Sequence, residues 1–215
     1  MNIKNKWENI HSLKEHHITY LLYLEGKSIE AISVIRKKNK KEVEKDIIKS
    51  KLEIKENTKD KDLLIDIISM EKEKRLKFIE RMDNKTKDSL CNDVYRRYIK
   101  FKNVEDRMIL IWLIGELKDE KLLPFLRMEL KSKNTNFRRL ACSALGKISN
   151  IKTKRWLEDM IDDNNPQVRQ YSIKALKEIG DFETINKLES VLKNQREKEY
   201  VKRAARNVIE CISDH

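Results

Sequence analysis

The stretches "DRMILIWLIGEL" from Asp106, "FRRLACSALGKI" from Phe137 and "VRQYSIKALKEI" from Val168 decide the fold, because they are one pattern written three times at a spacing of 31 residues. A shorter fourth copy, "VKRAARNVIECI", begins at Val201. Every copy has a basic residue second (Arg107, Arg138, Arg169, Lys202) and a large apolar residue ninth (Ile114, Leu145, Leu176, Ile209). The segments that follow keep the same phase: Leu126, Leu157 and Leu188 are 31 apart, as are Leu130, Ile161 and Leu192. Turns are expected at Lys118–Asp119, Ser149–Asn150 and Gly180–Asp181, and Pro166 suits the first position of a helix, where its missing N–H costs nothing. A period in this range is the signature of a solenoid, in which each helix pair buries its apolar face on the next.

The motif "NNPQVRQYSIKALKEIGD" resembles the short HEAT-type repeats of phycobilin-lyase-like proteins. The resemblance is carried by Asn164, Pro166, Val168, Arg169, Ala175, Leu176 and Ile179, and in the preceding copy by Arg138, Ala141, Ala144, Leu145, Gly146 and Ile148. It covers residues 104–212 and implies an α-α superhelix; such repeats serve scaffolds, adaptors and a few enzymes. The repeated basic column has two readings. It is either a ladder for a phosphate backbone, or a set of stacking contacts to neighbouring carboxylates and helix-end carbonyls, with Asp106, Asp162, Asp163 and Asp181 as available partners. The second reading is favoured, since the residue opens the helix in every copy. The unrepeated Arg139, Arg155, Arg203 and Arg206 are the better candidates for a binding surface, and Trp112 and Trp156 are expected in the core.

Upstream, residues 59–103 read as atypical leading helices of the solenoid, with apolar positions at Leu76, Ile79 and Met82 and then at Leu90, Val94, Tyr98 and Phe101. The polar run "EIKENTKDK" at 53–61 is the best candidate linker. It separates a head, residues 1–55, from a solenoid at 59–215 that holds three and a half repeats. The head opens with a short helix carrying Trp7, Ile10 and Leu13. A helix from Ile18 to Leu24 follows, then Gly26 as a helix-terminating residue and Ser28 as the N-cap of the next helix. That second helix carries Ile29, Ile32 and Ile35, and a third starts near Lys40 with Val43, Ile47 and Ile48 facing inward. This is the layout of a helix-turn-helix.

Leu24, Glu25, Gly26, Lys27, Ser28, Ile29, Glu30, Ile32, Ser33 and Arg36 resemble the small helix-turn-helix module at the C-terminal end of RecQ-type helicases, over about 35 residues. Where that family continues with Gly-Leu and a Ser/Thr-rich helix start, this chain has Lys37, Lys38, Asn39, Lys40 and Lys41. The resemblance implies DNA contact through the third helix, with Lys38, Lys40, Lys41, Lys45 and Lys49 meeting phosphates and Arg36 beside one. Arg139 and Arg155 complete the candidate nucleic-acid-binding set. Glu42, Glu44 and Asp46 on the same helix oppose that contact.

Composition narrows the rest. The 215 residues hold 4 Gly and 2 Pro with 39% charged side chains, which predicts an all-α protein. The longest uncharged apolar run, Met108 to Gly115, falls far short of the ~18 residues of a membrane span. The N-terminal stretch lacks the apolar core of a signal peptide, so a cytoplasmic location is expected. The net charge of +12 is spread evenly along the chain, permitting an anionic partner without demanding one. Cys91, Cys142 and Cys211 read as reduced apolar residues, and neither they nor the histidines show ligand spacing, so no metal or cofactor is expected. No catalytic motif is present. The resulting reading is an all-α, non-enzymatic binding protein, a helix-turn-helix head on a HEAT-like solenoid with DNA as ligand. A protein–protein adaptor is the alternative, and a HEAT-repeat DNA glycosylase using Trp112, Trp156 and Asp159 is a remote one.

Overall fold

In the computed structural model, which describes residues 7–57 and 62–214, thirteen α-helices follow one another with short 3-10 turns between some of them, and no strand occurs among the described residues. The chain divides into two compact units, Met1–Arg107 and Met108–His215.

The first unit begins with a 3-10 helix, Trp7–Ser12, on which Trp7 is exposed; residues 1–6 of the expected opening helix lie outside the described residues. Helix α1 (Glu15–Leu24) stops where it does because Gly26 takes φ +83. The Lys27 N–H then reaches back to the Leu22 carbonyl at 3.2 Å and the Gly26 N–H to the Tyr23 carbonyl at 3.0 Å. This paired closure uses a left-handed residue that glycine adopts without penalty. A side chain there would also meet the Lys102 carbonyl oxygen at 3.2 Å. Ser28 accepts a hydrogen bond from the Ala31 N–H and starts α2 (Ile29–Arg36). Asn39 and Glu42 satisfy each other's backbone N–H groups at the start of α3 (Lys40–Asn57). The three helices close over Tyr20, Tyr23, Ile32, Val43 and Ile47.

Two expectations about this core fail. Ile35 is 53% exposed and Ile48 57% exposed, so neither faces inward. Residues 53–57 continue α3 instead of forming a linker, and 58–61 lie outside the described residues. The division between compact units falls at Arg107–Met108, beyond that polar run. Part of the reason is bonding between the head and residues 101–107: the Tyr23 hydroxyl donates to Asp106 Oδ1 at 2.9 Å in a buried contact, and Asn103 Nδ2 donates to the Tyr23 carbonyl at 3.4 Å. Helices α4 (Leu63–Ser69), α5 (Lys72–Glu80) and α6 (Asn84–Arg97) fill the remainder, with Asp62 and Asp83 as side-chain N-caps. Leu64, Ile67, Ile79, Leu90, Val94 and Tyr98 are buried, whereas Leu76 is exposed. The Arg75 guanidinium is buried and donates to the carbonyls of Ile67 and Met70 at the end of α4.

The second unit is built from the repeats. The first helices of successive copies are α7 (Val104–Leu117), α9 (Thr135–Ile148), α11 (Pro166–Ala175) and α13 (Glu199–Ser213). The second helices are α8 (Leu123–Leu130), α10 (Lys154–Asp159) and α12 (Phe182–Lys193). Lys118 and Ser149 turn the chain in the left-handed conformation, and Asp119, Asn150 and Asp181 then cap the next element with their side chains. Leu126, Leu157, Leu188, Ile114, Leu145 and Leu176 are all fully buried, as the repeat phase requires. Gly115 and Gly146 mark where first helices touch backbone to backbone: a Cβ at Gly115 would lie 2.8 Å from Ala144 Cα, and one at Gly146 2.9 Å from Ala175 Cα. Both members of that pair recur after 31 residues. No helix among the described residues is long and apolar enough to cross a membrane.

Candidate functional site

The fate of the repeated basic column decides which surface is left for a ligand. Arg107 Nη1 donates to the Phe101 carbonyl at 3.1 Å, Arg138 Nη1 to the Ser132 carbonyl at 2.9 Å and Arg169 Nη1 to the Asp163 carbonyl at 2.6 Å. Each acceptor lies six residues upstream of its arginine. In two of the three arginines the remaining donors reach forward to the next repeat. Arg138 grips both oxygens of Asp163 at 2.7 and 3.0 Å, and Arg169 grips both of Glu197 at 2.6 and 2.8 Å. Fork-to-fork pairs of this kind fix geometry as well as charge. Burial works to raise the carboxyl pKa of Asp163, but hydrogen bonds from Arg138 and the Asn165 N–H outweigh it and hold it below the ordinary carboxylate value. Glu197 is held down in the same way, by Arg169 and the Lys198 N–H. Arg138 and Arg169 therefore set repeat stacking. Asp163 was among the acids available in the sequence; Glu197 was not, because it sits in the turn where two extra residues lengthen the third copy.

The candidate nucleic-acid-binding residues separate into two groups. Arg36 is paired with Glu15, Lys38 Nζ with Asp46 at 2.7 Å, and Lys40 Nζ with Glu30 at 2.8 Å. Lys41, Lys45 and Lys49 are exposed, lie four residues apart along α3, and make no ion pair among the described residues. In the second unit, the Arg139 guanidinium lies 5.1 Å from the Tyr171 ring centre, and Arg155 is exposed. Trp112 and Trp156 are half-buried beneath Lys147 and Arg127 respectively, so they are neither pure core nor open stacking platforms. Asp159 is exposed.

The second unit also presents an apolar edge that the sequence reading missed. Ile151 is 65% exposed and Phe182 74% exposed, and both hold the same repeat position, immediately after the capping Asn150 and Asp181. Ion pairs run across this edge from repeat to repeat: Lys152 to Glu120 at 3.3 Å, and Lys154 to Asp181 and to Glu183 at 3.8 Å. The signal was present as the 31-residue spacing of Ile151 and Phe182, hidden by Glu120 at the third equivalent position. Away from this edge, an open cleft of about 590 Å³ is lined by Ile161, Asp162, Arg169, Lys187, Val191 and Glu197 among others. Two of its cations are already paired, Arg169 to Glu197 and Lys187 to Glu158 at 3.0 Å.

One donor cluster gathers residue types that can ligate a metal, which no spacing in the sequence announced. His16 and His17 near the start of α1 converge on Glu53 of α3, with His16 Nε2 at 3.1 Å from Oε1 and His17 Nε2 at 3.1 Å from Oε2. All three ligand atoms lie within 4.8 Å of one another. Lys14 Nζ also reaches Glu53 Oε2, at 3.2 Å. The carboxyl of Glu53 is pulled down to about 2, first by the adjacent His16 imidazole. Glu53 is 36 residues from His17, which is why no local spacing announced the cluster.

A family profile described as HEAT repeats matches residues 99–172 and, overlapping, 129–210. No curated protein matches the chain.

Proposed function

The chain belongs to the HEAT-repeat family, and on that premise we propose that it is a non-enzymatic protein-interaction scaffold whose second unit offers a partner the apolar edge at Ile151 and Phe182. The observation that carries this reading is the division of labour among the repeated residues. Arg138 and Arg169 of the column are spent on stacking, and the apolar Ile151 and Phe182 are left in register for a partner. Single exposed apolar side chains are ordinary, but two in register on adjacent repeats mark a contact surface. The acidic and basic pairs flanking them supply the polar rim typical of protein interfaces.

A second reading, DNA contact through a helix-turn-helix head of the RecQ-like kind, rests on the Lys41, Lys45 and Lys49 stripe of α3. Three phosphate contacts give a weak, strongly salt-dependent complex. Arg36, Lys38 and Lys40 would have to leave their carboxylates to strengthen it.

The test compares the partner complex recovered from source-organism cells by the unaltered protein, by an Ile151→Ser/Phe182→Ser variant and by a Lys41→Glu/Lys45→Glu/Lys49→Glu variant. The scaffold reading expects the serine variant to lose its partner while keeping its unfolding midpoint, and the glutamate variant to keep it. Partner recovery untouched by the serine changes overturns the assignment of the edge. A duplex complex at ~50 mM salt that the glutamate variant abolishes shifts the function to DNA.

A further inference from the structure

We propose that His16, His17 and Glu53 form a binding site for a divalent transition-metal ion, best matched by Zn2+, that ties the start of α1 to α3. The three donors come from two helices and already converge, each imidazole Nε2 lying 3.1 Å from a different oxygen of one carboxylate. The two imidazoles are neighbours in sequence but tilt toward one another, with ring centres 4.4 Å apart and planes at 58°. Tetrahedral Zn2+ with bonds of ~2.0–2.2 Å needs donors separated by about 3.4 Å. The three donor atoms lie within 4.8 Å of one another, so they need approach by no more than about 1.4 Å to reach that separation.

An independent observation points to a missing ligand. His16 is only 5% exposed, yet its Nε2, although 3.1 Å from Glu53 Oε1, makes no hydrogen bond. Buried polar atoms are nearly always satisfied, and an unsatisfied one calls for an explanation such as an ion. A metal at the centre of the cluster supplies the partner. The surroundings hold the donors in place: Ser50 Oγ donates to the His16 carbonyl at 2.8 Å, and Thr19 on α1 donates to Asp46 on α3 at 3.0 Å.

The donor set selects the ion. Two imidazoles and one carboxylate suit Zn2+, Cu2+ or Ni2+, whereas Mg2+ and Ca2+ prefer all-oxygen shells. Three protein ligands leave a fourth position for water. Lys14, the cation now on Glu53, is largely exposed on a flexible stem and swings clear without breaking a buried contact.

The experiment titrates metal-free full-length protein with Zn2+ by calorimetry and with Co2+ by visible absorption. One Zn2+ per chain at micromolar or tighter affinity is expected, with a Co2+ spectrum of nitrogen–oxygen ligation and a rise of several degrees in the unfolding midpoint. His17→Gln and Glu53→Gln each weaken binding at least about tenfold, and His11→Gln leaves it unchanged. Circular dichroism of each variant verifies folding; should His16→Gln misfold, the other two decide. No saturable binding at ~100 μM Zn2+, affinity unaltered in Glu53→Gln, or a Co2+–thiolate absorption band overturns the site.

Discussion

Replacing Gly146 by Ala tests the repeat-to-repeat contact by its sign. In an unhindered helix interior the change stabilises by about 1 kcal/mol, since glycine loses more backbone freedom on folding. Here the new Cβ lies 2.9 Å from both Cα and Cβ of Ala175 on the neighbouring helix. Carbon atoms settle at ~3.5–4.0 Å, so the overlap is at least about 0.6 Å. Neither contacted atom moves by rotamer change, so α9 and α11 must separate. Overpacking of this kind costs ~1–3 kcal/mol. Subtracting the propensity gain leaves a net effect between about zero and a loss of 2 kcal/mol, a fall in unfolding midpoint of up to ~8 °C for a chain of this size. Urea unfolding followed by far-ultraviolet circular dichroism measures it. Gly115→Ala, which meets Ala144 at 2.8 Å, should behave alike. A gain of about 1 kcal/mol at either position refutes close helix contact there.

Arg138→Ala leaves Asp163 half-buried without its guanidinium and should cost about 3 kcal/mol, whereas Arg138→Met with Asp163→Leu should cost less; urea midpoints decide. Asp163 and Glu197 both have lowered pKa values, so the unfolded chain takes up protons first on acidification. Their contribution is whole above the ordinary carboxylate value and is lost as pH falls from ~5 through the folded values. The stability gap between the unaltered protein and Asp163→Asn should therefore shrink across that window, and a gap independent of pH contradicts the pairing. Tyr23→Phe removes a buried hydroxyl donor to Asp106 and should destabilise by ~1–3 kcal/mol in the same urea assay.

The second unit was legible because its period is written on both helices of every repeat, and a buried leucine column tolerates little else. The head was harder to read. At ~100° per residue, Ile35 stands about 120° from Ile29 around α2, and Ile48 about 140° from Val43 around α3. Each isoleucine looks like core in a spacing count but faces solvent on the helix. Residues 53–57 are as polar as a linker, yet they extend α3 beyond Glu53, whose carboxylate reaches α1. The binding features were hidden because they are three-dimensional. Glu53 meets the histidines only once α1 and α3 pack, and the Ile151–Phe182 edge emerges only when capping turns place those positions outward.

Photo-crosslinking in living cells tests the scaffold function most directly, with a benzophenone amino acid placed at Phe182 in one variant and at Lys45 in another. The account expects a discrete protein adduct from position 182, competed away by excess unlabelled chain, and no nucleic-acid adduct from position 45. Nucleic-acid adducts at 45 with none of protein at 182 would contradict it.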